Sequence, residues 1–197
     1  MRKLKRAEID RVSRSSPIAA RHLVTVVIEN VRSAYNVGAI LRTCDAALVD
    51  RVIVTGYTPL PDHPKVRKTA LGAEKEVPWE AARETAPLIR RLKTEGYTIA
   101  ALEITDQPSR VEDLGRNQFP LALIVGNEVA GVSDEAIALA DLAIEIPQYG
   151  IKQSLNVAVA FGIAMMGVIE RFRSIHPTHL SVQKRSRPAY NVRVRPQ

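Results

Sequence analysis

Short apolar runs and longer periodic stretches alternate along this chain. Residues 23–28 (LVTVVI) are apolar and β-branched without polar alternation, as expected of a strand covered on both faces. A loop over 29–35 follows, and Asn36 is placed to cap a helix with apolar positions at Val37, Ile40, Leu41 and Leu48. A second strand is expected over 51–55. Pro59, Pro61 and Pro64 then break the pattern, a helix is expected over 83–95 until Gly96 stops it, and 97–102 reads as a strand. Further strands are expected at 121–125 and 142–146, with a helix near 134–140 between them, and residues 154–173 read as the final helix. Strands alternating with helices predict an α/β domain with a mainly parallel sheet and helices on both faces.

The final helix is apolar almost all round over 155–169, where a surface helix would show one apolar stripe. It must be buried on more than one side, either by a second copy of the chain or within one subunit. Its apolar run over 157–169 is too short to span a bilayer, which takes roughly 18 to 20 residues. The start, MRKLKRAEID, has positive charges without an apolar segment behind them, so neither a signal peptide nor an anchor is read there. With one cysteine, Cys44, there is no disulfide framework and no thiolate-rich zinc site. A soluble, cytoplasmic protein is the expectation.

Charge changes this picture because it is unevenly placed. The net charge is +7, but residues 1–22 carry +5 and residues 171–197 carry +7, leaving −5 for the middle. The chain therefore divides into a basic N-terminal extension over 1–22, one domain over 23–173 and a basic tail over 174–197. Basic ends on an acidic body either serve as solvated termini or neutralise the phosphates of a polyanion. Candidate contacts to such a polyanion, RNA or DNA, are Arg2, Lys3, Lys5, Arg6, Lys68, Lys184, Arg185 and Arg187. In the segment around Lys68, Lys75 and Trp79 are further candidates, although Trp79 is more readily a core anchor.

Polar chemistry gathers in three islands. The first, IENVRSAYNVGAILRTCDA (28–46), leaves a buried strand, turns at Asn36 and Gly38 and sends Arg42 along a helix. The second, LALIVGNEVAGVS (121–133), sets Glu128 between Gly126 and Gly131 at a strand end. The third, IEIPQYGIKQSLNVAVAFGI (144–163), puts Ser154 and Asn156 where a loop becomes a helix, so that backbone N–H groups stand beside two polar side chains. Loops after the carboxyl ends of strands are the usual ligand positions in such sheets.

Together the islands resemble the SpoU family, also called TrmH, within the knotted SPOUT class of methyltransferases. The match runs over about residues 23–170: Asn36 with Arg42 six residues on resembles the first family motif, GNE with Gly131 the second, and IPQ-G-SLN the third. The islands also resemble the carboxyl-terminal domain of larger eukaryotic tRNA ribose methyltransferases. The resemblance implies a deep carboxyl-terminal trefoil knot, an obligate homodimer and transfer of a methyl group from S-adenosyl-L-methionine to a ribose 2'-hydroxyl of RNA. It leans towards tRNA over ribosomal RNA, whose enzymes often carry a separate amino-terminal RNA-binding domain.

Carried over residue by residue, the resemblance makes Arg42, Asn36, Glu128, Ser154 and Asn156 catalytic-site residues. Gly126, Ile146, Gly150 and Leu155 become cofactor-binding positions, acting through backbone groups and an apolar slot for adenine. A guanidinium with a pKa above ~12 is a poor base, so phosphate anchoring and alkoxide stabilisation are the contributions expected of Arg42. Asn36 and Ser154 also suit plain helix caps, and Glu128 also suits an exposed turn. Cys44 suits a small core hydrophobe, and His22, His63, His176 and His179 lack ligand-like spacing, so no metal is expected. A dinucleotide-binding fold would need a Gly-rich fingerprint after its first strand, and the segment NVRSAYN is not one. A protein of the same fold that binds RNA without catalysis is the alternative, and intact Arg42, Glu128, Ser154 and Asn156 argue against it.

Overall fold

The computed structural model describes residues 2–5, 7–8, 20–152 and 154–177. Seven strands form one sheet in the order β3-β2-β1-β6-β4-β7-β5, and every pairing is parallel. They are β1 (His22–Glu29), β2 (Val49–Thr55), β3 (Trp79–Ala82), β4 (Thr98–Leu102), β5 (Pro108–Ser109), β6 (Leu121–Val125) and β7 (Leu142–Ile144). Six helices connect them: α1 (Ala34–Ala46), α2 (Pro64–Ala70), α3 (Ala73–Glu76), α4 (Thr85–Thr94), α5 (Asp134–Leu139) and α6 (Val157–Ile175).

Alternation along the strands divides the core into two layers. Val24, Val26, Ile28, Leu121 and Leu123 face α1, α2 and α6, whereas Val27, Ile53, Ala122 and Ile124 face α4 and α5. Both faces are covered, which is why β1 and β6 read as unbroken apolar runs. Because all strands run the same way, the loops after β1, β2, β4, β6 and β7 collect at one edge. That edge holds the three islands.

Three local readings change. Ser33, not Asn36, is the N-cap of α1: its side chain accepts from the Asn36 N–H, so Asn36 lies inside the first turn and its side chain is free for other contacts. Leu48 lies beyond that helix in a left-handed turn. The Pro-rich stretch is more regular than expected, since Pro64 falls in the opening turn of α2, where its missing N–H costs nothing. Trp79 opens β3 and packs half-buried against the core, and Cys44 is fully buried, its thiol pushed up by burial.

Gly38 makes no turn. It sits on α1 where that helix crosses α2, and a Cβ there would overlap Thr69 Oγ1 and the Val66 carbonyl oxygen. Gly38→Ala is expected to destabilise the fold by about 1–3 kcal/mol through overpacking, lowering the thermal midpoint by several degrees in calorimetry. An unchanged midpoint would contradict this packing.

Candidate active site

A cleft of about 230 Å³ opens at the carboxyl edge between the loops after β4, β6 and β7. Leu102, Ile104, Val125, Ile144, Ile146 and Leu155 give it apolar walls, and its polar lining includes Glu103, Asn127, Glu128, Glu145, Gln148 and Ser154. The loop 126–131 is drawn shut by paired backbone hydrogen bonds between Asn127 and Gly131, at 2.9 and 3.0 Å. A Cβ on Gly126 would overlap the Gly131 carbonyl, and Gly131 has φ 72°, so this turn requires both glycines.

Glu128 leaves that loop to reach island one. Its Oε2 accepts from the Arg32 N–H at 3.0 Å, and its Oε1 accepts from the Ser33 N–H and the Asn36 side-chain amide, both at 2.9 Å. Burial opposes ionisation of Glu128, but the Arg32 and Ser33 N–H groups and the Asn36 amide outweigh it and hold the carboxyl below the usual glutamate range. Asn36 continues the chain of contacts, accepting at Oδ1 from the Asn156 amide at 3.2 Å. Asn156 in turn caps α6, its Oδ1 accepting from the Ala158 N–H at 2.9 Å. One hydrogen-bonded line thus joins Glu128, Asn36 and Asn156 across the three islands.

The other predicted residues divide. Gly126, Ile146, Leu155 and Ser154 line the cleft, and Ser154 is not a cap, that place being taken by Asn156. Gly150 stands in an open loop, no atom lies within 4 Å of where its Cβ would be, and its neighbours Tyr149 and Ile151 are 96% and 97% exposed. Arg42 is not drawn into the hydrogen-bonded line. Six residues beyond Asn36, it lies roughly 9 Å further along the helix axis, on the exposed face that also carries Tyr35 and Ala46. It makes no hydrogen bond or ion pair among the described residues.

Of the basic candidates, Lys3, Lys5 and Lys68 are exposed, and Arg2 is ion-paired to Glu8 at 2.7 Å. Arg6, Lys184, Arg185 and Arg187 lie outside the described residues.

Sequence reasoning left three residues that shape the site without a role. Glu29, buried at the end of β1, accepts from the Ser133 N–H at 2.9 Å and pairs with its hydroxyl at 2.8 Å. Glu103, after β4, accepts from the Val132 N–H at 2.9 Å. Asn127 donates to the Asn30 carbonyl at 2.9 Å. A buried carboxylate at a strand end was the available signal for Glu29. Asn127 stood in the GNE motif without an assigned part, and nothing in the local pattern marked Glu103.

The folded Glu128 carboxyl ionises more readily than an unfolded one. It therefore stabilises the fold fully above roughly pH 4, and that contribution is lost as pH falls through the folded value. Glu128→Gln is expected to be less stable than the parent at neutral pH, with the gap narrowing below about pH 4 in a denaturation series. A gap independent of pH would contradict the ionised hydrogen-bonding role.

Comparison with known proteins identifies the family. Residues 23–166 match the SpoU rRNA Methylase family. The tRNA (guanosine(18)-2'-O)-methyltransferase of Thermus thermophilus is 37% identical over 142 residues, spanning 72% of this chain and 72% of that protein. The crystal structure of the A. aeolicus TrmH/SpoU tRNA modifying enzyme superposes with a TM-score of 0.73 at 29% identity, covering 84% of each chain. An AdoMet-bound rRNA methyltransferase from Sinorhizobium meliloti gives a TM-score of 0.70 at 26% identity, over 84% of this chain and 70% of its own. In its sequence motifs, its parallel α/β sheet and the cleft at the sheet edge, this chain belongs to the SpoU methylase family.

Proposed function

We propose that this chain transfers a methyl group from S-adenosylmethionine to a ribose 2'-hydroxyl of RNA, with tRNA preferred over ribosomal RNA. The observation that carries the reading is the cleft, with apolar walls and a polar rim, directly beside the line Glu128–Asn36–Asn156. The cofactor fits the cleft by its chemistry: apolar walls suit an adenine ring, and the tight 126–131 turn brings backbone groups close to a ligand. Gly126, Ile146, Leu155 and Ser154 would hold it, and Gly150 is the remaining position assigned to it by the family motif. When bound, S-adenosylmethionine supplies an electrophilic methyl group. The tRNA preference draws on the tRNA enzymes of Thermus thermophilus and A. aeolicus, against an rRNA enzyme from Sinorhizobium meliloti.

A ribose hydroxyl is almost wholly protonated at neutral pH, so positioning and charge stabilisation must supply much of the rate. Glu128 is not the base in this reading, because its oxygens already accept three hydrogen bonds. Its part is to position Asn36 and, through it, Asn156. Arg42, exposed and unpaired among the described residues, is free to take a phosphate in its planar fork and to stabilise the developing alkoxide. Arg42→Ala is expected to lower methyl transfer by about 100-fold or more, and Arg42→Lys to recover little, with cofactor affinity unchanged. Near-normal transfer by Arg42→Lys, measured with labelled cofactor, would refute this role.

The working form in this reading is a knotted homodimer in the cytoplasm. Among the described residues no helix is long and apolar enough to cross a membrane. On α6, Val159 and Ile163 are each 52% exposed, and the exposed Met166 shares their stripe, so one protomer buries only one side of a helix that is apolar almost all round. A second copy supplies the missing cover most simply. Its approach would also bring a partner surface against Tyr35 and the start of α1. Light scattering is expected to give a dimer for the parent and a monomer for Val159→Asp with Ile163→Asp; a parent monomer at micromolar concentration would refute it.

The domain over 23–173 carries the chemistry in this scheme, and the basic segments over 1–22 and 174–197 dock the RNA backbone. Mapping ribose methylation in a deletion strain tests the substrate. A site lost from tRNA is expected; a site lost only from ribosomal RNA would redirect the assignment, and an unchanged profile in both would refute it.

A further inference from the structure

Tyr57 is a large aromatic residue left outside both hydrophobic clusters, yet fixed at both ends. It follows β2 by two residues at the carboxyl edge of the sheet and is 62% exposed. Its backbone N–H donates to Asn30 Oδ1 at 3.3 Å, and its hydroxyl accepts from the Asn127 amide at 3.1 Å. Asn127 immediately precedes Glu128 and lines the cleft, so the ring is tethered to the wall of the active site.

This tether is built on two left-handed backbone positions. Asn30 has φ 53° and Gly56 has φ 62°, both left-handed, and a Cβ on Gly56 would overlap Asn30 Oδ1. A tyrosine needed only to brace Asn127 would gain by burying its ring. Here the hydroxyl is engaged while the ring stays open to solvent. A fixed, exposed ring beside a nucleic-acid site is a stacking platform, since every base offers a π-face and a tethered ring has little freedom left to lose. The same connection runs on into α2, whose exposed Lys65 and Lys68 stand one turn apart and suit neighbouring phosphates.

We infer that the Tyr57 ring stacks on the nucleobase of the nucleotide whose ribose enters the cleft, fixing the approach of that ribose without reading which base it carries. The inference rests on the RNA-methylating function proposed above.

Methyl transfer by the full chain would be compared for the parent, Tyr57→Phe, Tyr57→Trp and Tyr57→Leu. Each would be given normal RNA and RNA abasic at the modified position, with S-adenosylmethionine affinity measured by calorimetry. Both aromatic variants are expected to stay within about threefold of the parent in kcat/KM, and Tyr57→Leu to raise KM for RNA roughly tenfold or more at unchanged cofactor affinity. The abasic substrate is expected to weaken the parent by a similar factor and Tyr57→Leu hardly further. Equal losses in the Phe and Leu variants, a loss of cofactor affinity, or a parent indifferent to the abasic site would each overturn the inference and leave Tyr57 a strut for Asn127. A parent that methylates no RNA would overturn the proposed function as well, and the parent's own activity separates that failure from a failure of stacking alone.

Discussion

The Glu128 carboxylate, accepting from two backbone N–H groups at the start of α1 and from Asn36, is the contact on which the site depends. The first N–H groups of a helix have no partner within the helix, and a carboxylate there gains both hydrogen bonds and the favourable end of the helix dipole. Glu128 meets such a need for the N-cap Ser33 and for Arg32 just before it, from 92 positions away from Asn36 in the chain. Asn36 is thereby oriented towards Asn156, which meets the same need at the start of α6. Two helix starts and one glycine turn become a single piece, bordering the cleft.

Two further carboxylates work in the same way. Glu29 fastens Ser133 to the end of β1, and Glu103 fastens Val132 to the end of β4. With Glu128, they tie the segment 126–133 to three different parts of the sheet edge. Some of the acidic balance of the middle of the chain is therefore engaged by backbone N–H groups at the sheet edge, and its negative charge does not itself attract an anionic substrate. That leaves attraction of RNA to the exposed bases of the surface and the basic ends, in keeping with a site that positions a ribose while other parts supply sequence-independent affinity.

Much of the fold was legible because buried parallel strands leave an unmistakable apolar run, as over 23–28 and 121–125. The helices beyond the prolines were not, since Pro64 signals a break equally well before a helix and within a loop. The islands were legible as motifs, but their contacts were not. Asn36 read as a cap because its type suits one, and only the side chain of Ser33 in that place frees Asn36 to bridge Glu128 and Asn156. Glu103 and Tyr57 escaped notice, and Asn127 was read only as part of GNE, because their partners are set by which strands lie side by side, and periodicity does not carry strand order. Conversely, the all-round apolar surface of α6 was legible, and the protomer covers only part of it.

A double-mutant cycle on methyl transfer between Glu128→Ala and Asn156→Ala tests the central claim most directly, because the two residues touch only through Asn36. If one hydrogen-bonded line organises the site, the second substitution will cost far less in the presence of the first, giving a coupling well outside the roughly 0.3–0.5 kcal/mol of independent sites. Losses that add on a logarithmic scale would contradict the account, leaving Glu128 and Asn156 as separate supports of their own helices.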